Sequence, residues 1–462
     1  MARSSKTGGP ESVFWSSRTY FVLAAVGAVI GFNDFTQFPY LIAHYGGSAF
    51  LIVYLFAIVV ISTPLMAVEL LVGRYGRGDP AAAIRKLAQT SGQSVAWGAI
   101  GWLFIAGGFM VTTYFSIVAA WMSGYLVRTA ANVFSPLTTD GAGRLFSAYV
   151  RAPEGQLFWL TVFLVLTMTT VHVGLKRGVE RVLPWVALAA GVAFMALCAY
   201  GGLLDPAGTA ALRLLAPDFA RMTRLGVIVA FGHAFFGLSL GTGALFAYGA
   251  YLPDEMPVVK WSFMIALADL VIGVLAGIVI YAVCFAQGLK PGPGPTLLFE
   301  TLPIAFDHLP YGNIMGGFFF GLLVAVAWMA AIAFVEPVVL WVMRRFRISR
   351  SRSAVVVGLA LWCSGIVGVL SLNFWAFSFH FFGQRKTLGL FDLLSTVAFD
   401  VVLPAASLAL ALFVGWRAKR DIVEKALAAR SPCIYESWLW CLRIITPALL
   451  VLVLLNLKRM SM

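Results

Sequence analysis

The sequence has few charged residues for its length and few cysteines. Of its 462 residues, 11% are charged and 61% are hydrophobic, and the mean hydropathy is +0.90. These values lie far outside the range of soluble domains, so the composition predicts a polytopic membrane protein. The five cysteines are odd in number and lie mostly within apolar runs, which argues against a disulfide framework.

Several function classes are excluded by what is missing. The chain has no basic stripe with interleaved aromatic residues, so its net charge of +13 does not indicate nucleic-acid binding. No nucleophile with a neighbouring base, metal-ligand cluster or phosphate loop rises above chance, and the segment 241–243 (GTG) lacks the strand and lysine of a phosphate loop. We therefore expect neither an enzyme nor a nucleic-acid-binding protein, and no cofactor.

Long apolar stretches are what the sequence has instead. Eleven of them reach about 20 residues, the length of a membrane-spanning helix: 17–43, 48–72, 97–127, 156–175, 182–203, 225–250, 261–287, 314–343, 354–371, 388–415 and 438–456. An odd number places the two termini on opposite sides of the membrane. With a cytoplasmic N-terminus, 22 of the 33 basic residues lie on the cytoplasmic side, and the positive-inside rule favours this orientation.

The first apolar stretch is interrupted at its centre by Gly31, Asn33, Asp34 and Pro39. Hydrocarbon cannot satisfy the amide and carboxylate side chains, and glycine weakens a helix. A break at this depth is tolerated only where it is buried in protein or lines a polar cavity. The stretch is therefore predicted to be a discontinuous helix at a binding site.

The sixth stretch contains a second interruption, the segment 235–243 (FFGLSLGTG). It follows the first by five stretches, and an odd offset turns the second unit upside down relative to the first. We therefore predict a single transporter domain over 1–462. Its first inverted repeat is 17–203, its second is 225–415, and 438–456 is an extra C-terminal helix. The Pro- and Gly-rich connection 288–311 is predicted to form a re-entrant segment or surface cap.

Motifs along nearly the whole chain resemble those of the neurotransmitter:sodium symporters, including the bacterial leucine transporter. The opening motifs are 15–18 (WSSR), 31–40 (GFNDFTQFPY), 46–50 (GGSAF), 64–69 (PLMAVE) and 73–76 (GRYG), and later ones are 176–181 (KRGVER), 216–219 (APDF), 235–243 and 443–448 (RIITPA). The resemblance implies an all-α fold with a core of five plus five helices, broken helices 1 and 6, and about 11 transmembrane helices. An eleventh helix without a twelfth is also found among bacterial members.

The sodium sites that the resemblance implies are altered in this sequence. Two neighbouring hydroxyl residues on helix eight of the family correspond to Met329 and Ala330, which cannot coordinate sodium. The side-chain ligands of the other sodium align with Asp34, Gly237 and Ala268, so one carboxylate is gained and two oxygens are lost. Both sites are predicted to be degraded, with no metal held in the family's usual way and sodium coupling in doubt.

The gates and the chloride position also differ from the family. The outer Arg–Asp pair aligns with Gln37 and Ser395, and the inner pair aligns with Ser12 and Arg344, so neither salt bridge is expected. Phe236 takes the position of the aromatic lid and belongs to the predicted outer gate. The residues at the chloride position are Tyr54, His233 and Ile272.

The pocket implied by the resemblance is built mostly of small and apolar residues. A family tyrosine that touches the substrate carboxylate corresponds to Phe115, so one hydroxyl donor is missing. The predicted substrate-binding residues are Gly31, Phe32, Asn33, Asp34, Val111, Phe115, Phe236, Ser239, Thr242, Ala330 and Phe334.

Asp34 and His233 are the candidates for coupling. An ionisable residue at membrane depth is a functional hypothesis by default, and histidine titrates near neutral pH. The structural alternatives are that amides of the broken helix satisfy Asp34 and that His233 bonds a neighbouring helix. The other buried acids are predicted to be structural and to bond backbone groups freed by helix irregularities: Glu69, Asp269, Glu336 and Asp392.

Two functions from different classes remain. The first is a secondary transporter of a small organic solute, an amino acid or related amine, coupled to protons, working by exchange or keeping a single-sodium mode. The second is a non-transporting sensor or membrane partner that has kept the fold. Transport is preferred because both helix breaks and Phe236 are retained. The expected partners are a small-molecule substrate and the lipid bilayer of a bacterial inner membrane, and the sequence leaves a homodimer open.

Overall fold

The computed structural model describes residues 14–133, 139–372, 377–381, 384–427 and 431–457. Within these ranges nine helices are long and apolar enough to cross a membrane. Two further spans are broken into shorter helices, which brings the described spans to the eleven that the apolar stretches predict. All five cysteines are free.

The helices follow one another with short connections. The first repeat contains α1 (Arg18–Val29), α2 (Gln37–His44), α3 (Ser48–Ala57), α4 (Thr63–Gly76), α5 (Pro80–Thr90), α6 (Ile100–Ala130), α7 (Thr139–Arg151), α8 (Pro153–Val173) and α9 (Glu180–Leu204). Short 3₁₀ helices lie at Phe32–Phe35 and Val95–Ala99. A short helix α10 (Thr209–Leu215) connects to the second repeat.

The second repeat and the C-terminal helix complete the chain. They contain α11 (Arg224–Phe236), α12 (Ala244–Ala250), α13 (Val258–Ala286), α14 (Leu302–Asp307), α15 (Gly312–Phe346), α16 (Arg350–Ser371), α17 (Leu390–Val397), α18 (Leu403–Trp416), α19 (Arg420–Leu427), α20 (Pro432–Trp440) and α21 (Thr446–Leu455). Strands β1 (Phe377–Phe381) and β2 (Gln384–Leu388) form an antiparallel hairpin that pairs Phe377 with Leu388. The sequence did not predict this hairpin or the short helices α5, α7, α10 and α19.

Widened π-helical turns interrupt several spans just before a proline. They lie at Ile58–Ser62, Leu297–Thr301, Ala398–Val402 and Cys441–Ile445, each two residues before Pro64, Pro303, Pro404 or Pro447. Proline lacks the backbone N–H and its ring clashes with the carbonyl four residues earlier. A π turn relieves this clash within a continuing helix. A fifth π turn, Leu175–Val179, starts the helix that contains Pro184.

Glycines allow α4 and α12 to approach with their backbones in contact. A Cβ added to Gly73 would lie 2.0 Å from the carbonyl oxygen of Phe246, and one added to Gly249 would lie 2.5 Å from that of Leu70. Small residues at membrane helix contacts permit this approach. The contact holds the second half of the sixth span against the second span.

In the predicted cap at 288–311, residues 297–307 form a largely buried turn and short helix, while residues 288–296 are exposed or half-exposed. The π turn Leu297–Thr301 continues into α14, and Leu297, Phe299 and Leu302 are buried. The Tyr125 hydroxyl of α6 donates to the carbonyl oxygen of Phe299 at 3.2 Å. The connection therefore folds back onto the helices instead of extending away from them.

Polar contacts join a set of loops at one end of the helix bundle. Arg77 pairs with Asp254, Arg344 pairs with Asp79 at 3.6 Å, and Arg350 Nε donates to the carbonyl oxygen of Val171 at 2.7 Å. We call this end the basic face and define it by the loops 77–79, 174–179, 251–257, 344–350 and 417–420. These are loops that the sequence places on the cytoplasmic side.

Candidate functional site

The first span breaks where the sequence predicts. Helix α1 ends at Val29, Ile30 and Gly31 are extended, and the 3₁₀ helix Phe32–Phe35 leads into α2. Asp34 Oδ2 accepts a hydrogen bond from the Gly31 amide at 2.8 Å. The carboxylate therefore satisfies an amide that the break leaves without a helical partner. This bond provides the structural role considered for Asp34, and the buried charge remains available for a second role.

The second break lies between α11 and α12 and requires left-handed backbone. Ser239, Gly241 and Gly243 have φ angles of +54°, +83° and +80°. Within this turn the Thr242 hydroxyl donates to the carbonyl oxygen of Ser239 at 2.8 Å. A Cβ on Gly241 would also lie 2.6 Å from the carbonyl oxygen of Leu403. Glycine is needed at 241 for both reasons.

Glu69 supports the second break from a neighbouring span. Its Oε1 accepts from the Gly241 amide at 2.9 Å, and the residue is buried on α4. This is the backbone-bonding role predicted for Glu69. Asp392 acts similarly at the start of α17, where its Oδ2 accepts from the Gly389 amide at 3.2 Å.

The two breaks meet α6 and α15 at the centre of the bundle. A Cβ on Gly108 of α6 would lie 2.7 Å from the carbonyl oxygen of Phe334 and 2.9 Å from that of Thr242. A Cβ on Gly31 would lie 3.9 Å from the Phe115 ring. The structure therefore brings residues from both repeats to one place.

Aromatic rings form one wall of the site where the two breaks meet. The Phe115 ring centroid lies 5.0 Å from that of Phe32 and 5.1 Å from that of Phe334. Val111 lies one turn from Phe115 on α6 and is buried, as is Ala330 on α15. These residues belong to the predicted lining. Because all of these side chains are apolar, this wall of the site is apolar.

Met329 lies where the family resemblance places one of the sodium sites. Its Cβ and Sδ each lie 3.1 Å from the point that a Cβ on Gly27 would occupy. Met329 is buried between α15 and α1. A thioether is a poor ligand for a hard cation such as sodium. Here it packs against the helix whose carbonyl oxygens the family uses.

Asp269, and not Ala268, faces the first break from α13. Asp269 is buried and lies close enough to Asp34 for the two carboxylates to interact electrostatically. Gly273, one turn further along α13, would place a Cβ 3.7 Å from the Asp34 Cβ. Ala268 and Ile272, the positions chosen from the sequence alignment, are only half-buried. The carboxylate that faces Asp34 therefore lies one residue after the aligned position 268, and the spacing of 269 and 273 puts both residues on one helix face.

His233 and Tyr54 complete a buried polar cluster beside the two carboxylates. The His233 ring stacks on Phe38 at 5.0 Å and lies 5.6 Å from the Tyr54 ring. Tyr54 is buried near both Asp34 and Asp269. Within the described residues, His233 Nε2 and Asp269 Oδ1 have no hydrogen-bond partner. We call Asp34, Tyr54, His233 and Asp269 the acidic cluster. It lies against the Gly237 position of the second break, where a Cβ would be 3.2 Å from His233 Nε2.

The predicted outer gate has no ion pair. Gln37 is half-buried beneath the cap, with its Oε1 3.9 Å from the position of a Cβ on Gly294. The Ser395 hydroxyl donates to the carbonyl oxygen of Asp392 at 2.9 Å. Phe236 is half-buried, and its ring meets that of Phe235 edge-on at 4.9 Å. These contacts agree with the loss of the family's charged outer pair.

The inner end is held by pairs that the sequence did not predict. Ser12 lies outside the described residues, and Arg344 pairs with Asp79. Glu336 pairs with Arg350 and accepts from the Tyr251 hydroxyl at 2.6 Å. The structural role predicted for Glu336 was to bond freed backbone groups, but its oxygens bond side chains instead. In the sequence, the signal for these pairs was the arginine run 344–352, which contributes to the positive charge assigned to the cytoplasmic side.

Two broken helices facing each other inside an inverted-repeat bundle, with buried carboxylates beside the break, are the architecture of a secondary transporter. The sequence matches the profile of the Sodium:neurotransmitter symporter family over residues 13–136 and 150–461. The chain belongs to this family, and the resemblance seen in the motifs is confirmed.

The relatives agree with this assignment. The sodium-dependent transporter YhdH of Bacillus subtilis (strain 168) is 30% identical over 453 residues, which cover 97% of this chain and 98% of that protein. The sodium-dependent dopamine transporter of Bos taurus is 24% identical over 503 residues, covering 97% and 69% of the two chains.

A solved structure has the same fold. The crystal structure of MhsT in complex with L-phenylalanine matches with a TM-score of 0.84 and 32% identity, covering 96% of this chain and 100% of that chain. The predicted all-α membrane fold is confirmed.

Proposed function

We propose that the protein is a secondary transporter of a small apolar amino acid or related amine that works by alternating access without the usual two-sodium coupling. The observation that carries the proposal is the contact between Met329 and Gly27, where the Met329 Sδ lies 3.1 Å from the position of a Gly27 Cβ. That contact occupies the space of one sodium site with an apolar side chain. A coupling mode that needs both sodium ions is therefore disfavoured.

The apolar wall supports a substrate with a hydrophobic side chain. Phe115 contacts both Phe32 and Phe334 at the meeting point of the two breaks. MhsT, which shares the fold, was crystallised with L-phenylalanine. Phe115 supplies no hydroxyl to a substrate carboxylate, and Asp34 favours a substrate ammonium group. An amine therefore fits the proposed site as well as an amino acid does.

The acidic cluster supports proton coupling. Asp34 and Asp269 lie close together in a buried site, and two neighbouring carboxylates that are both charged repel each other. A proton bound by one of them relieves the repulsion. Because Asp34 belongs to the first break, its proton can be tied to the opening and closing of that break.

A single-sodium mode is the second candidate, and one observation favours it. Asp269 adds a carboxylate beside Asp34, and paired carboxylate oxygens are ligands that a hard cation accepts. Several relatives are also named sodium-dependent transporters. In this mode, one cation would take the place of the proton in the acidic cluster.

The distribution of charge supports a cytoplasmic basic face. Of the 33 basic residues, 22 lie on the side of the basic face in the topology derived from the apolar stretches. Positive residues in short loops stay in the cytoplasm. We infer a plasma-membrane location with the N-terminus inside, and relatives in Bacillus subtilis support a bacterial membrane.

The test is ligand binding followed by transport. Purified protein is screened for thermal stabilisation with L-phenylalanine, L-leucine and phenethylamine, in sodium chloride and in choline chloride. For each compound that stabilises the protein, uptake into proteoliposomes is then measured under an imposed pH gradient or sodium gradient.

Binding in choline with accumulation driven by inward-directed protons supports the proposal. Accumulation that needs sodium, with a Hill slope near one, selects the single-sodium mode. Binding without flux or exchange under any gradient, in liposomes that give a positive signal with a control transporter, would favour a sensor.

A further inference from the structure

A cavity of about 540 Å³ opens at the basic face, away from the breaks and the acidic cluster. It lies where the start of α5, the beginning of α6 and the end of α15 come together. Four of its lining residues are arginines: Arg85, Arg344, Arg345 and Arg347. Neither transport nor coupling as proposed above uses any of these side chains.

The single acid in the cavity is already engaged. Asp79 Oδ1 accepts from the Ala82 amide at 3.0 Å and caps α5, while Oδ2 lies 3.6 Å from Arg344 Nη1. Among the described residues, no carboxylate lies within 4.0 Å of Arg85, Arg345 or Arg347. Three guanidinium groups therefore line a concave surface without a protein counter-ion, which is the electrostatic requirement for binding an anion.

Two tryptophans place the cavity at the level of lipid headgroups. The rings of Trp102 and Trp341 meet edge-on at 4.9 Å in its wall, and Trp102 is 45% exposed. Exposed tryptophan at the end of a membrane span lies at the membrane–water interface. The anion most accessible at this depth is the phosphate of a phospholipid, which is covalently attached to the surrounding bilayer.

An adjoining cavity provides room for the rest of such a lipid. It also measures about 540 Å³, and it shares Arg85 and Trp102 with the first cavity. Its remaining wall includes the apolar side chains of Val95, Ala96 and Ala99. A phosphate held among the arginines would leave its glycerol backbone next to this apolar wall.

We propose that the arginine cavity binds the headgroup phosphate of an anionic glycerophospholipid from the cytoplasmic leaflet. Guanidinium groups bind phosphate through paired, charge-assisted hydrogen bonds, and basic pockets between spans on this side of a membrane bind anionic headgroups. The proposal uses residues remote from the transport site, and it rests on the proposed function only for the side of the membrane on which the basic face lies.

The experiment titrates the intact protein with short-chain lipids in a neutral detergent. The full-length chain is titrated with dioctanoyl phosphatidylglycerol, and bound lipid is counted by native mass spectrometry. Dioctanoyl phosphatidylcholine and inorganic phosphate are the comparison ligands. The pocket variant is Arg345→Gln/Arg347→Gln, with Arg85→Gln as a second variant on a different helix. The matched control is Arg177→Gln/Arg181→Gln, which removes the same charge from exposed positions outside the cavity.

The expected result is that phosphatidylglycerol binds the parent and the control equally, and binds the double pocket variant about tenfold more weakly. Arg85→Gln is expected to weaken binding in the same direction. Phosphatidylcholine and inorganic phosphate are expected to bind poorly.

Three outcomes would overturn the proposal. They are equal binding by the pocket variants and the parent, an equal loss in the control, which indicates a general charge effect, and inorganic phosphate binding as tightly as the lipid. Thermal unfolding of each variant confirms that it is folded, and if the double variant does not fold, Arg85→Gln alone decides.

Discussion

Arg350 and Glu336 join two spans at the basic face through a bidentate ion pair. Arg350 Nη1 lies 2.8 Å from Glu336 Oε1, and Nη2 lies 2.5 Å from Oε2. The Tyr251 hydroxyl donates to the same Oε1 at 2.6 Å, at the end of the second broken span. The pair therefore links α15 and α16 to the end of the second broken span.

Removing one partner should destabilise the closed inner end. Glu336→Gln leaves Arg350 without its charge partner, and loss of one partner of a buried pair costs about 3–5 kcal/mol. Glu336 and Arg350 side chains are 4% and 19% exposed. We expect a lower unfolding temperature and faster modification of a cysteine placed in the inner pathway. The control is Arg221→Met, which breaks the exposed pair with Asp218, worth about 0–1 kcal/mol. Equal effects of the two variants would contradict the prediction, and Glu336→Met/Arg350→Met should recover stability.

Binding and uptake should be largely insensitive to replacing sodium by potassium or choline. Met329 occupies the space beside Gly27, and neither Met329 nor Ala330 supplies an oxygen ligand. Uptake of a stabilising compound is measured in proteoliposomes with each cation. The variant Met329→Thr/Ala330→Ser, which restores two hydroxyls, is expected to gain sodium dependence. A steep sodium dependence of the parent, with a Hill slope near two, would show that the sites function despite these substitutions.

Asp34→Asn should separate the structural role of Asp34 from coupling. Asparagine can still accept the Gly31 hydrogen bond, but it cannot carry a proton through the cycle. For one coupled proton, a gradient of one pH unit drives about tenfold accumulation, because one unit corresponds to 1.36 kcal/mol. The variant should express normally, lose this accumulation and keep passive exchange. Loss of binding at every pH would mean instead that Asp34 pairs with a substrate ammonium. Accumulation like that of the parent would exclude coupling through Asp34.

Phe115→Tyr should improve the binding of zwitterionic amino acids. The new hydroxyl would lie on the apolar wall where the family has a donor to the substrate carboxylate, and one hydrogen bond contributes about 0.5–1.5 kcal/mol. Affinity is measured by thermal shift or calorimetry. Tyr114→Phe is the control, because it removes a hydroxyl from the neighbouring position and keeps the ring that stacks on Phe391 at 5.0 Å and contacts Phe32 and Phe115. If Phe115→Tyr and Ser239→Ala both leave affinity unchanged, the ligand lies elsewhere.

Gly241→Ala should destabilise the second break. The φ of +83° strains an L-residue, and the added Cβ would lie 2.6 Å from the Leu403 carbonyl oxygen. Backbone strain and overpacking together cost about 2–4 kcal/mol. Gly191→Ala is the comparison, since a Cβ there meets no atom within 4 Å and helix propensity favours alanine by about 1 kcal/mol. Opposite shifts in unfolding temperature are expected, and two equal shifts would show that the site tolerates a Cβ.

Much of the fold was predictable from the sequence, because it depends on how each segment is solvated in the bilayer. Eleven apolar stretches produce eleven spans because backbone groups in hydrocarbon must bond within a helix. Asn33 and Asp34 mark the first break because their side chains cannot be left in lipid. The segment 235–243 marks the second because Gly241 and Gly243 adopt positive φ angles that exclude a continuous helix. The prolines that follow four of the π turns are equally visible in the sequence.

Relationships between helices depended on the tertiary structure. Neighbouring residues on a helix point about 100° apart, so a shift of one residue exchanged Asp269 for Ala268 and hid the second carboxylate of the acidic cluster. The Arg350–Glu336 pair and the Glu69–Gly241 bond likewise depend on how separate spans rotate and pack.

The sequence by itself therefore determined the class of protein, its spans and the positions of both breaks, because these follow from each segment's own solvation in a bilayer. Only the tertiary structure decided which side chains fill the space beside the breaks, since that depends on close packing between segments far apart in the chain. Met329 illustrates both the contribution of the sequence and that of the tertiary structure. Its lack of an oxygen ligand was evident from the sequence, but its contact with Gly27, about 300 residues away, required the packed bundle.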